Sequence, residues 1–319
     1  MKYVTQRLIS IIPTLFIVSL IIFGLMRVLP GDVAQLILMG PEGEGGAARA
    51  EDIAKLRGEL GLDDPLLIQY FSWMGGIITL NPGDSLWTGR PILDELFNRF
   101  PLTLELGFLA TIVSLVIAIP TGIISAVKQG TPLDYFARIF AIVGLSVPSF
   151  WVAVLILLVM VTYFDYFPPL GYMDFFEDPV KNMQQLIWAA LSLGYIQAAL
   201  VSRMMRSSLL EVLREDYIRT AHSKGQTERR VIIRHALKNA MLPVITIVGI
   251  GLANIIGGTV VIETVFNLPG VGRYLIDAIG RRDYPVVQTL VFFFAMIFAL
   301  ANLLVDLVYV QLDPRIRLT

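Results

Sequence analysis

EDYIRTAHSKGQTERRVIIRHALKNAMLP, residues 215–243, is the most basic stretch of a very apolar chain, and a hydrophobic run stands on either side of it. From Arg203 to Lys238, nine lysines and arginines (203, 206, 214, 219, 224, 229, 230, 234, 238) stand against four acids (211, 215, 216, 228). The pattern predicts two helical pieces, Ser207 to Ser223 and Thr227 to Met241, broken at Gly225. Glycine takes left-handed backbone angles at no steric cost and so commonly ends helices. The expected shape is a helix-turn-helix held at one side of a membrane, which suits a protein partner. Charge alone leaves a second reading open, a solvated loop that obeys the positive-inside rule. Nucleic-acid binding is a third, and membrane tethering already explains the charge without it.

The flanking runs set the class. The chain has 319 residues, 55% hydrophobic and 16% charged, whereas soluble domains average about 25% charged. Six apolar spans are predicted: Leu8–Leu29, Leu106–Val127, Ile139–Phe164 with Pro148 inside it, Asn182–Ser202, Asn239–Ile262 and Tyr284–Val305. The last helix is expected to run on through Asp306 to Leu312. Each span is near the roughly 20 residues needed to cross a bilayer. The fold class is therefore an all-α polytopic membrane protein. The first run exceeds the apolar core of a signal peptide, about 7–15 residues, and leads into RVLPGD with no A-x-A site. It reads as a retained span, with Arg27 snorkelling at the outer interface.

With the N-terminus inside, 15 of the 25 lysines and arginines fall on inner segments and nine on longer outer ones, Arg27 being the last. Both termini and the basic loop are then expected in the cytoplasm. Residues 32–100 hold eleven acids and five Lys/Arg, with turn signals at PEGEGG, NPG and TGRP. A helix is expected at Glu51–Leu60, and an amphipathic, aromatic segment at Pro65–Ile78 that can lie against the membrane. Too small for an independent enzyme, this region reads as an extracytoplasmic flap. ETVFNLPGVGRYLIDAIGRRDYP, residues 263–285, predicts a short helix from Val271 to Ile279 opened by the Pro269-Gly270 turn, either a gate or a plain connector. The expected domains are 1–30, a first transmembrane helix; 31–101, the insert; and 102–319, a core of five helices with the basic loop at 203–241.

Catalytic chemistry has no foothold in this pattern. There are no cysteines, and His222 and His235 are the only imidazoles. No carboxylate cluster stands beside them, so no metal site is expected. No phosphate-cradling GxxxxGK[ST], HExxH or GxSxG occurs. Glu105 and Asp306 sit at or inside span ends, where carboxylates are costly and face a bundle interior or a water path. Asn302 and Asp306 are one turn apart on one helix face. These three, with Glu263, are candidates for a translocation path or gate, or for packing groups near the interface. Glu263 and Asp277 are expected to lack a positioned partner.

The basic loop resembles the cytoplasmic "EAA" loop of ATP-binding cassette importer permeases: Glu-Ala-Ala, three residues, Gly, nine residues, then Ile, any residue, Leu, Pro. Aligned on Gly225, Ala221 and Leu237 match, while Arg219, Thr220, His235 and Lys238 depart. Those departures resemble the dipeptide, oligopeptide and nickel branch, which reads much like DYIRTAxxKGxxxxxVxxxHAxxNAxxP. RVLPGD, LGLDDPLLIQYFSW, GDSLWTGRPILDEL, GLSVPSFW, ETVFNLPGVGR and LDPRIR resemble that branch too, so the likeness spans nearly the whole chain.

The resemblance implies a multi-pass permease subunit of a bacterial or archaeal plasma (inner) membrane importer, for di- or oligopeptides. Nickel, glutathione and short oligosaccharides are the rival cargoes. It implies a second homologous permease (a heterodimer), two ABC ATPase subunits that bind ATP and Mg, an extracytoplasmic solute-binding protein and membrane lipid as partners. No cofactor sits on this chain, and no nucleic acid is a partner. The first span is peripheral to the other five in this branch. A coupling helix is implied at Asp216, Arg219, Thr220, Ala221, His222, Lys224 and Gly225. From other classes, a secondary transporter or channel subunit would work without an ATPase, and a membrane scaffold or insertase would use the loop to bind ribosomes or chains.

Overall fold

The computed structural model describes residues 2–28, 33–39 and 50–312. In these the helices are α1 (Lys2–Val28), α2 (Val33–Met39), α3 (Ala50–Glu59), α4 (Leu66–Ile78), α5 (Ile92–Val127), α6 (Pro132–Ser146), α7 (Ser149–Phe164), α8 (Pro179–Val212), α9 (Asp216–Ser223), α10 (Glu228–Arg230), a π-helical turn at Val231–Ala236, α11 (Leu237–Val265), α12 (Val271–Arg281) and α13 (Tyr284–Leu312). The PEGEGG turn, most of RVLPGD and most of the LDPRIR tail lie outside the described residues. Among the described residues, five helices are long and apolar enough to cross a membrane, or six spans if α6 and α7 count as one.

The expected third span is not one rod. α6 and α7 meet at 108° across Val147 and Pro148. Proline has no N–H to continue the helical ladder and pushes the residue before it out of the α region. Val147 is extended, at φ −102° and ψ 127°, and its carbonyl accepts from the Tyr195 hydroxyl of α8.

The chain forms two compact units. One comprises Met1–Pro101 with Pro269–Ala299. Its core gathers Ile22, Phe23 and Met26 of α1, Tyr70 and Trp73 of α4, Leu96 of α5, Val271 and Leu275 of α12, and Leu290 and Phe293 of α13. Aromatic edges knit it together, Phe23 to Tyr70 at 5.4 Å and Phe100 to Phe293 at 5.1 Å between ring centroids. Asp283, buried between α12 and α13, accepts from Ser85 Oγ at 2.6 Å and from the Leu86 N–H at 3.3 Å. Loss of water pushes its carboxyl above the ordinary range, although these bonds pull the other way. Burial, with the Asp283 carboxylate second, pushes Tyr274 of α12 up to about 12. Arg27 of α1 is half-buried. Its guanidinium lies over the rings of Phe23 and Tyr284, at 4.9 and 5.4 Å.

The other unit comprises Leu102–Leu268 with Leu300–Thr319. α8 is its axis, and α6, α7 and α11 all pack on it. Small residues let backbones approach closely, as membrane helices without a hydrophobic drive require. A Cβ on Gly194 would lie 2.4 Å from the Ala110 carbonyl of α5, and one on Gly122 only 2.8 Å from the Ser202 carbonyl of α8. At the end of α8 nearest α9, a second cluster joins Met205 and Leu209 of α8 to Ala118 and Ala126 of α5, and to Val231, Ala236, Ala240 and Val244. That cluster is the seat of the basic stretch.

Candidate functional site

The predicted helix from Ser207 to Ser223 breaks. α8 stops at Val212, and Glu215 is extended at φ −69° and ψ 147° before α9 begins. Arg214 and Glu215 close the turn with N–H bonds to the carbonyls of Glu211 and Val212, both 3.1 Å. No glycine or proline marks this break. It rotates Ile218 and Ala221 of α9 into the cluster around Met205 and Leu209. Ile218 is 1% exposed.

α9 ends where the sequence says it should. Gly225 has φ +72°, its N–H bonds to the His222 carbonyl at 2.9 Å, and the Gln226 N–H bonds to the Ala221 carbonyl at 3.4 Å. Those two bonds form a Schellman cap. A Cβ at Gly225 would meet nothing within 4 Å. The demand for glycine is therefore one of backbone conformation and not of space.

The second expected piece, Thr227 to Met241, is not separate. α10, the π turn and α11 follow one another without a break into the apolar run. Two side-chain bonds fasten α9 and its cap to this helix. Asn239 Nδ2 donates to the Tyr217 hydroxyl at 2.8 Å, and His235 Nε2 lies 2.8 Å from Gln226 Oε1. Ser208 Oγ donates to the Ala240 carbonyl at 2.9 Å and ties α8 to α11.

Among the predicted loop residues, Asp216, Arg219, Thr220, His222, Lys224 and Gly225 are exposed, and Ala221 is buried against the cluster. Arg219 pairs with Asp216 at 3.1 Å, and His222 stands 3.7 Å from Glu228. Arg206, Glu211, Arg214, Glu215, Asp216 and Arg219 line an open groove of about 630 Å³ beside the α8–α9 turn. The arrangement is a short rod, seated by apolar residues and presenting charges of both signs. Such an arrangement suits docking on a protein partner.

The candidate path residues fall apart into pairs. Thr103 Oγ1 donates to Glu263 Oε1 at 2.7 Å, and Glu263 is fully buried. Asp277 lies 3.9 Å from Arg273, one turn away on α12. The expectation that Glu263 and Asp277 lack partners is thus corrected. Glu105 accepts from the Tyr172 hydroxyl at 2.7 Å, and burial together with that carboxylate holds the phenol protonated well above its ordinary range. Asn302 is half-buried on α13. The side chain of Asp306 lies outside the described residues.

Sequence reading missed Asp134, in the first turn of α6. It is 1% exposed and accepts from Ser125 Oγ (2.6 Å), the Gly130 N–H (3.0 Å) and Arg206 Nε and Nη2 (2.9 and 3.1 Å). The only sequence signal was an acid just after the Thr131-Pro132 helix start.

A family model described as "Binding-protein-dependent transport system inner membrane component" matches residues 118–318, and a model for the N-terminal part of such components matches residues 1–107. The chain belongs to this family. It is a multi-pass component of the inner membrane. The chain is 39% identical to the dipeptide transport system permease protein DppB of Escherichia coli (strain K12), and 38% identical to that of Alkalihalophilus pseudofirmus, over 99% of each chain in both cases. Among solved structures, the inward-facing MetNI methionine ABC transporter superposes with a TM-score of 0.57 at 18% identity, covering 69% of this chain and 97% of that one. An amino acid ABC transporter gives 0.54 at 14%, covering 69% and 94%. At those identities the likeness shows the fold.

Proposed function

We propose that the chain is one of two permease subunits of an ATP-driven importer for di- or oligopeptides and forms half of the translocation path. The observation that carries this reading is likeness over 99% of the length to permeases named for dipeptide transport. The seat of α9 supports the coupling role. Ile218 and Ala221 seat the rod against α8, and the Tyr217–Asn239 bond ties it to α11.

In this mechanism ATP and Mg bind to two partner ATPase subunits, and closure of those subunits displaces α9 from the cytoplasmic side. Asp216, Arg219, Thr220, His222 and Lys224 register the rod in a cleft on the ATPase, and Gly225 is the joint. Movement of α8 and α11 opens the path outward to a solute-binding protein, and hydrolysis resets it. Both termini are cytoplasmic and the 31–101 insert is extracytoplasmic. Glu105, Glu263, Asn302 and Asp306 line or brace the path, and the partner permease is a homologous but different chain.

The test is purification in mild detergent from the native membrane, with mass spectrometry of what stays bound. Two ABC ATPases and a second permease are expected, and the companion binding protein is then screened with peptides, nickel, glutathione and sugars. A chain that purifies alone or only with itself overturns the reading in favour of a secondary transporter or channel.

A further inference from the structure

α1 ends on a charge that the described residues do not balance. Arg27 Nη2 donates to Gln69 Oε1, while Nε and Nη1 are buried without a partner. Among the described residues no carboxylate pairs with this guanidinium. Two neutral donors share its condition. Among the described residues Trp73 Nε1 and Gln288 Nε2 find no partner, on residues only 8% and 4% exposed. All three residues line one cavity of about 310 Å³, whose rim carries one acid, the exposed Asp64.

A buried donor left unpaired costs about 1–3 kcal/mol, and a buried cation without a counter-charge costs several more by order of magnitude. Every orphaned atom named here is an N–H, so the complement is an acceptor-rich anion. Charge-assisted bonds to its oxygens would satisfy the site at once. Arg27 closes the 20-residue apolar stretch Ile9–Val28, which puts it at headgroup depth. Ile21 and Leu25 of α1 and Leu67, Ile68 and Phe71 of α4 stay exposed near the cavity-lining residues of those same helices. That surface suits acyl chains.

We propose that this cavity holds the phosphate of a membrane phospholipid, with Arg27 as charge partner and Trp73 and Gln288 as neutral donors. The phosphate oxyanion is the recognised chemistry, and the chains run along the apolar flanks of α1 and α4.

The test is native mass spectrometry of the detergent-purified, delipidated protein titrated with phosphatidylglycerol. Diacylglycerol serves as the uncharged comparison, and inorganic phosphate as the free-anion arm. The expected result is one phosphatidylglycerol retained in preference to diacylglycerol, weakened about tenfold or more in Arg27→Gln. In Gln288→Glu, which sets a negative charge against the phosphate, retention is expected to vanish. Thermal unfolding without lipid identifies any variant that has failed to fold, and the other variant then decides. Equal retention by wild type and a folded variant overturns the proposal. So does binding of inorganic phosphate without preference for the lipid.

Discussion

Arg206 of α8 closes two of its guanidinium nitrogens on Asp134 of α6, Nε to Oδ1 at 2.9 Å and Nη2 to Oδ2 at 3.1 Å. With Ser125 Oγ and the Gly130 N–H on the same carboxylate, the start of α6 is pinned to the end of α5 and to α8. A buried carboxylate stripped of its cation is costly, whereas removing both charges together costs far less. Arg206→Met is expected to lose about 3 kcal/mol of stability, and Arg206→Met with Asp134→Asn to recover most of it. Thermal unfolding in detergent checks this. A single variant as stable as the wild type contradicts it.

Gly225 offers a cleaner separation of conformation from space. Its neighbourhood is open and its φ is positive. Gly225→Asn, which tolerates the left-handed region, is therefore expected to preserve transport. Gly225→Val carries roughly 1–2 kcal/mol of backbone strain and is expected to lower uptake more than ATP hydrolysis. Paired uptake and ATPase assays in membrane vesicles measure the ratio. An unchanged ratio in Gly225→Val removes the joint from the mechanism.

Ile218 is the apolar anchor of α9. Truncation of a buried isoleucine to alanine costs about 2–4 kcal/mol, and here the loss falls on the docking of one short helix. Ile218→Ala is expected to speed tryptic cleavage after Arg219 and Lys224, roughly tenfold for each 1.4 kcal/mol of easier local opening. Cleavage at the wild-type rate would mean that the Tyr217–Asn239 bond and the cap hold the helix alone.

Features with a local cause were legible in the sequence. Hydropathy placed the long spans, the Pro269-Gly270 turn opened α12 at Val271 as expected, with its end two residues later than read, and Gly225 capped α9. What escaped was tertiary. The break at Leu213–Glu215 has no glycine or proline behind it and follows from burial of Ile218 and Ala221. Pro148 was visible, but its 108° bend was not, because a proline in an apolar run also fits a mild kink. Asp134 and Arg206 lie 72 residues apart, and Thr103 and Glu263 lie 160 apart. No spacing rule joins residues at such separations.

Asp283 makes stability depend on pH. Burial raises its folded pKa above the ordinary 3.8, despite the Ser85 and backbone bonds. A group raised in the folded state contributes stability that is full below its unfolded pKa and is lost as pH rises through the folded value. Asp283→Asn removes this titration. The stability of the variant relative to wild type is expected to grow as pH climbs from the ordinary carboxylate value through the raised one, then to level off. Thermal unfolding of both proteins across that window reads the difference directly, and a pH-independent difference contradicts the assignment.

The central claim is that α9 docks on an ATPase. The chain contains no cysteine, so Thr220→Cys places a unique thiol on the exposed face of the helix. A photo-crosslinker on that thiol, activated in native membranes, is expected to yield an adduct with an ABC ATPase subunit. The same reagent on Tyr163→Cys, at an exposed position near the far end of α7, is expected to yield none. Absence of any ATPase adduct from position 220, or equal adducts from both positions, would contradict the account.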